Sequence, residues 1–209
     1  MAMRQYRRGR LRHNRASAVD AKTQIRLHVL EAIGTKKAHV FDGFAGDGEM
    51  FRRVWMQAAS YVGCDLKWYS DEREAFVCDN RRVLRAIDLA PFTVFDVDAF
   101  GSPWEQAVII ADRRPVAAAE RIGLVLTEDS GLKLKFGSYP AALCELARIR
   151  PTAAGGSASG DELIDRAIDG WAKRAGGIVI ARWQAERRSG SAVKYVGIVV
   201  EGKKKGRAG

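Results

Sequence analysis

Short apolar runs alternate with segments of helical period along most of this chain, and no other feature restricts its fold as strongly. The runs Ala38–Asp42, Tyr61–Asp65, Ala75–Asp79, Phe92–Val97 and Ile122–Thr127 read as strands. Before the first of them, Asp20 can cap a helix whose Ile25, Val29, Leu30 and Ile33 share one face, with Gly34 as its stop. From Glu49 the apolar residues Phe51, Val54, Trp55 and Ala58 recur at three and four, as in a helix packed on a sheet. A helical turn or two follows over Arg81–Ile87, and a longer stretch over Trp104–Glu120, where Pro115 predicts a kink or break near Arg114. The helix Asp161–Ala175 precedes two strand-like runs, GIVIARWQAE and AVKYVGIVVEG, on either side of the turn RRSGS. The expected class is α/β, a single doubly wound, mostly parallel sheet closed by an antiparallel hairpin. No internal repeat is visible.

The 209 residues suit one domain with a full core. No stretch approaches the roughly 18 apolar residues of a membrane-spanning helix. The start MAMRQYRRGRLRHNR has the charge of a secretory leader without the apolar stretch behind it. A soluble, cytoplasmic protein is expected. Cys64, Cys78 and Cys144 are too widely spaced for a zinc knuckle or redox dithiol and read as reduced, buried thiols. His13, His28 and His39 have no partner at ligand spacing, so a metal-free mechanism is expected.

Lys and Arg number 35 against 25 Asp and Glu, a net charge of +10. The excess is concentrated at the ends. Arg4, Arg7, Arg8, Arg10, Arg12 and Arg15 precede the first acid, and Lys203, Lys204, Lys205 and Arg207 crowd the other terminus. Residues 1–19 and 203–209 therefore read as basic arms around a domain over 20–202. Such arms suit a polyphosphate partner, RNA or DNA, and a solubility tail is the bland alternative. PTAAGGSASG, residues 151–160, reads as a mobile loop.

The sharpest local signal is Val40-Phe41-Asp42-Gly43-Phe44-Ala45-Gly46-Asp47-Gly48, a strand entering a turn with three glycines and then a helix. Glycines there let a ligand approach the backbone. The position where a nicotinamide dinucleotide fold places its third glycine holds Phe51, and no Gly-Lys-Ser/Thr is present, so neither a pyrophosphate nor a P-loop is favoured. Asp42 and Asp47 instead suit a cationic, phosphate-free nucleoside, the character of S-adenosylmethionine. Asp65 ends the second strand, where a carboxylate can accept both ribose hydroxyls. Asp79-Asn80 ends the third, where a short polar side chain can meet an adenine amine.

The fourth strand runs into Asp96-Val97-Asp98-Ala99-Phe100-Gly101-Ser102-Pro103. With it the run Val40–Glu120 resembles the class I S-adenosylmethionine-dependent methyltransferases, of Rossmann-like fold, and DVDAFGSP is similar to the DxDPFGSP signature of the tRNA guanine exocyclic-amine methyltransferases. The resemblance implies an S-adenosylmethionine-dependent N-methyltransferase acting on an amine of a nucleic-acid base, RNA slightly ahead of DNA. It implies that Asp42, Gly43, Phe44, Ala45, Gly46 and Gly48 cradle the methionine and ribose portions, that Asp65 with neighbouring Leu66 holds the ribose end, and that Asp79 and Asn80 meet the adenine. Asp96 joins that cofactor set. Asp98 would be the active-site acid, Phe100 would stack on the base, and Ala99, Gly101, Ser102, Pro103 and Trp104 would border the substrate.

Two departures stand out. Ala99 replaces the signature's proline, and the residues after the fifth strand are needed to finish the core rather than to form the additional domain that family members use on tRNA. Trp104 can extend the base platform or simply begin a helix. Leu132–Gly137 can border a groove or form an edge strand, and Arg187 and Arg188 can add phosphate contacts. Two other functions stay open: a catalytically silent nucleic-acid-binding module that keeps the fold, and a methyltransferase acting on a small molecule or protein.

Overall fold

The computed structural model describes residues 9–10, 18–67, 69–129, 139–150, 160–186 and 193–203. Their strands are β1 Gly9–Arg10, β2 His39–Asp42, β3 Ser60–Asp65, β4 Ala75–Val77, β5 Val94–Val97, β6 Arg121–Glu128, β7 Gly177–Glu186 and β8 Lys194–Gly202. The helices are α1 Ala18–Ile33, α2 Glu49–Arg53, α3 Asn80–Ala86, α4 Trp104–Arg113, α5 Ala141–Ala147 and α6 Gly160–Arg174, with 3-10 turns at Thr35–Lys37 and Trp55–Gln57.

The strands form one sheet in the order β4-β3-β2-β5-β6-β8-β7-β1. Only β8, among the described strands, runs antiparallel to its neighbours, β6 and β7. The chain winds outward from β2 to β4 and then returns to lay β5 on the other side of β2. A sheet that changes winding direction opens a crevice at the carboxyl ends of the two strands involved. Asp42 at the end of β2 stands opposite Asp96 of β5 and Gly63 of β3, so the turns that follow these strands converge on that crevice.

Strand alternation divides the core between two faces. Val40, Val94, Val125 and Val199 pack with Ile25, Val29 and Trp55, while Phe41, Phe95, Leu124 and Ile198 pack with helix residues such as Leu84, Ile110, Ile168 and Trp171. Helix α1 lies very close to the sheet. A Cβ on Gly123 would sit 2.5 Å from Val29 Cγ1, and one on Gly197 would sit 2.8 Å from Val29 Cγ2. This seat brings the first turns of α1 over the end of β5.

Three local expectations change. α1 begins at Ala18, so Asp20 lies in its first turn and is not its cap. α2 stops at Arg53, and Trp55 turns inward to donate its indole N–H to Asp96 Oδ2 at 2.8 Å, a bond that a continued helix would forfeit. α4 ends at Arg113 with no second helix after Pro115. Val116 N–H donates to Ala175 O and Ala119 N–H to Gly202 O, while Arg114 holds Phe92 O and the Glu120 carboxylate. Backbone groups that would have built a helix are spent on neighbouring segments. In the region expected to be an arm, Gly9–Arg10 pairs in parallel with β7. Residues 151–159, Leu132–Gly137, Arg187 and Arg188 lie outside the described residues. Cys64 and Cys144 are buried free thiols, and Cys78 is half-buried.

Candidate active site

The glycine turn after β2 is held from both sides. Gly43 N–H donates to Asp96 O at 2.9 Å and Ala45 N–H to Cys64 O at 3.1 Å. Gly46 N–H donates to Asp65 Oδ2 at 2.9 Å, and the Arg73 guanidinium donates to the carbonyls of Ala45 and Gly46 at 2.9 and 2.8 Å. Gly46 and Gly48 have φ of +48° and +82°, a conformation that disfavours side chains, whereas Gly43 has no positive φ. Gly43 is instead fixed through its carbonyl, which accepts from Asn80 Nδ2 at 2.6 Å. Asn80 Oδ1 in turn accepts from Gln106 Nε2 at 3.0 Å, and Gln106 Oε1 is buried without a hydrogen-bond partner among the described residues.

A cavity of about 900 Å³ opens above this turn. Seven acids line it, Asp42, Asp47, Glu49, Asp65, Asp79, Asp98 and Asp129, against the bases Lys22, Arg26 and Arg81. In a chain of net charge +10 this is a local reversal of sign. Such a lining favours a cationic ligand and opposes a phosphate. Leu66, 77% exposed, and Tyr69 supply apolar surface at the rim.

Asp42 is buried, with its carboxylate accepting from Tyr61 Oη at 3.0 Å and Phe44 N–H at 3.1 Å. Burial, reinforced by the nearby charge of Asp96, pushes its pKa up to about 8 against the opposing pull of Arg26. Between the ordinary carboxyl value and about 8 the folded chain holds a proton that the unfolded chain has lost, so this group makes the fold less stable as pH rises through that window. An Asp42→Asn variant is expected to gain stability relative to the parent as pH goes from about 5 to about 8. Urea unfolding at several pH values measures this, and a pH-independent difference would show that Asp42 stays charged throughout.

Asp79 caps α3 through Arg81 N–H, and the Arg81 guanidinium lowers its pKa to about 2. It lines the cavity as a carboxylate already paired with a cation. The Asn80 carboxamide, expected to meet an adenine, lines the cavity and also braces the turn through Gly43 O and Gln106 Nε2.

Asp96 and Asp98, two apart on an extended segment, project to the same face of the sheet, where α1 supplies Lys22 and Arg26 one turn apart. Arg26 donates to Asp96 from Nε at 2.6 Å and from Nη2 at 2.8 Å, and its Nη2 also reaches Asp98 Oδ2 at 3.1 Å. Lys22 Nζ sits 2.7 Å from the same Asp98 oxygen. Asp96 is fully buried beneath the crevice and is absent from the cavity wall, so its assignment to the cofactor is corrected. Arg26 and Trp55 fill its lone pairs. Asp98 lines the cavity with its side chain 13% exposed. Burial alone would raise its pKa, but Arg26 and Lys22 outweigh that and hold it below the ordinary value.

Ala99 and Phe100 also line the cavity, and Phe100 is 101% exposed, an extreme for a large aromatic. Gly101 (φ +98°), Ser102 and Pro103 are not on its wall. Trp104 is a core residue, fully buried with its indole N–H on Glu128, which corrects its place in a base platform. The cavity residues Lys22, Arg26, Gln106, Thr127, Asp129 and Tyr195 were not anticipated, and neither was the Arg73 strap.

Neither the protein-family models nor the curated proteins include a match to this chain. Solved structures do resemble it. Trm1 from Pyrococcus horikoshii, in complex with S-adenosylmethionine, aligns with a TM-score of 0.58 at 15% identity over 89% of this chain and 55% of that one. The chain thus spans about half the length of that relative. The N-methyltransferase NodS from Bradyrhizobium japonicum aligns with a TM-score of 0.53 at 8% identity over 90% of this chain and 89% of that one. The 1,6-didemethyltoxoflavin-N1-methyltransferase from Burkholderia thailandensis aligns with a TM-score of 0.52 at 12% identity, over 90% and 80% respectively. The chain has the class I methyltransferase fold.

In this fold the doubly wound sheet and its closing hairpin stand as the sequence predicts. The residues present suit S-adenosylmethionine. Left-handed glycines open the turn, Asp42 sits at its base, Asp65 faces the cavity, and the lining is acidic as a sulfonium and an ammonium require.

Proposed function

We propose that the protein is an S-adenosylmethionine-dependent methyltransferase acting on an exocyclic amine of a nucleic-acid base. The observation that carries this reading is a single cavity with a glycine turn and Asp65 at one side and, after β5, the ionised Asp98 beside a fully exposed Phe100. When bound, the cofactor supplies a methyl group on a positively charged sulfur, already activated for in-line displacement.

The chain's own residues then have the task of alignment. Asp42 and the turn Gly43–Gly48 hold the methionine and ribose portions, and Asp65 accepts the ribose hydroxyls. Leu66 covers the adenine side, with Asp79 at its edge. Asp98 accepts an amine N–H and stabilises the positive charge that nitrogen gains as its bond to the methyl carbon forms and the sulfur–methyl bond breaks; the surplus proton on nitrogen then passes to water at the open side of the cavity. The carbonyl of Ala99 takes the second N–H, and Phe100 holds the base by stacking. A base within a duplex must be flipped out to reach Asp98. The basic segments 1–19 and 203–209 attract the phosphate backbone, which the acidic cavity keeps out.

The direct test incubates the protein with methyl-labelled cofactor and separate pools of tRNA, ribosomal RNA, duplex DNA and protein, followed by nucleoside analysis of the labelled pool. Label in an amine of one base supports the proposal, and label in protein alone overturns it. Asp65→Ala is expected to weaken cofactor binding roughly tenfold to a hundredfold by removing a charged acceptor. Calorimetry with S-adenosylhomocysteine measures this, and unchanged affinity would remove Asp65 from the site.

A further inference from the structure

Beyond keeping Asp98 ionised, Lys22 has no part in the reading above, yet it stands on the acceptor side. Its Nζ is 2.7 Å from Asp98 Oδ2, its side chain is 26% exposed, and it lines the same cavity. Arg26 already meets the charge of Asp98 from the buried side. Lys22 approaches from the open side, with its ammonium 5.7 Å from the centroid of the Tyr195 ring. The contact to Asp98 uses one of its three N–H donors.

We propose that Lys22 is a specificity-determining residue, paired with Asp98 to read an amine together with the acceptor atom next to it. The inference rests on the function proposed above and narrows its substrate class. A carboxylate takes the amine N–H, and the ammonium beside it offers a donor to a neighbouring ring nitrogen or carbonyl. Every amine-bearing base carries such a pair, because its exocyclic nitrogen is bonded to a carbon that also bears an unprotonated ring nitrogen. An alkylamine has no such acceptor. When protonated it also meets two like charges, Lys22 and Arg26, beside Asp98. Asp98 alone would accept either kind of amine, so the selection for a heteroaromatic one falls to Lys22.

A site built to bond a polar atom rejects the analogue that lacks it, because a donor covered by the bound base is left unpaired. This makes the proposal measurable with short single-stranded oligonucleotides bearing adenine, cytosine or guanine, and with matched oligonucleotides in which the flanking ring nitrogen is replaced by C–H. The full chain and its Lys22→Met variant are compared in single-turnover transfer, with cofactor affinity measured by calorimetry. The parent is expected to lose roughly tenfold or more on replacement of the ring nitrogen. Lys22→Met is expected to lose a similar factor on the natural base and nothing further on the analogue, with cofactor affinity within about threefold of the parent. Lys22→Arg, which keeps a donor, is expected to restore part of the discrimination. Equal losses on both substrates would overturn the role of Lys22 while leaving the proposed function in place. Cofactor binding with no label in any base would overturn both.

Discussion

Arg26→Met is expected to destabilise the protein by about 3–5 kcal/mol, the largest stability effect anticipated for a single substitution here. The reason is the number of charges one guanidinium holds. Arg26 is fully buried and donates to both oxygens of Asp96 and to Asp98. Removing it leaves Asp96, among the described residues, with only the Trp55 indole as a side-chain donor, in a place that solvent does not reach. An uncompensated buried carboxylate either pays its desolvation or takes up a proton. The loss is therefore expected to shrink as pH falls, because protonating Asp96 removes the unpaired charge, and to be full at neutral pH. In a chain of this length it corresponds to a fall in melting temperature on the order of 10 °C. Thermal and urea unfolding at acid and neutral pH measure it. A loss below about 1 kcal/mol, or one that does not vary with pH, would show that the cluster is solvated and Arg26 dispensable.

That cluster also marks where sequence reading stopped. The strand and helix pattern was legible because short apolar runs and helical periods are local properties, and their alternation gives the doubly wound class. The glycine turn and the acids at successive strand ends were legible for the same reason. Asp96 was misassigned because its burial depends on α1, which precedes it by 70 positions in sequence. The clue was present in two spacings. Asp96 and Asp98 lie two apart, and Lys22 and Arg26 four apart, so each pair shares a face of its element. Nothing in the pattern shows that these two faces meet until the close seat of α1 on Gly123 and Gly197 is known. Trp104 was ambiguous on equal grounds, since a tryptophan beginning a helix is compatible with a rim or a core position. The strap by Arg73 comes from a segment with no periodicity, where sequence carries no signal of direction.

Asp98→Ala is expected to reduce methyl transfer by about 10²–10⁴-fold while leaving cofactor affinity within about threefold. The separation of the two readouts follows from the geometry. The turn Gly43–Gly48 is held by Asp65, Arg73 and Asn80, none of which touches Asp98, so its loss leaves the cofactor side built. Asp98 instead stands between Lys22 and Arg26, beside Phe100, where the wall after β5 faces the cavity. Its held-down pKa gives it one protonation state across neutral pH, so it serves as a fixed acceptor that orients the amine rather than as a base that must first lose a proton. A rate that is flat through the acid range in the parent enzyme fits this role, whereas a general base would impose its own titration on the profile. Single-turnover transfer with the labelled base, set beside calorimetry on the same preparations, measures both quantities. A variant that still transfers within tenfold of the parent removes Asp98 from the reaction, and one that loses cofactor binding in step with transfer moves the acid to the cofactor side.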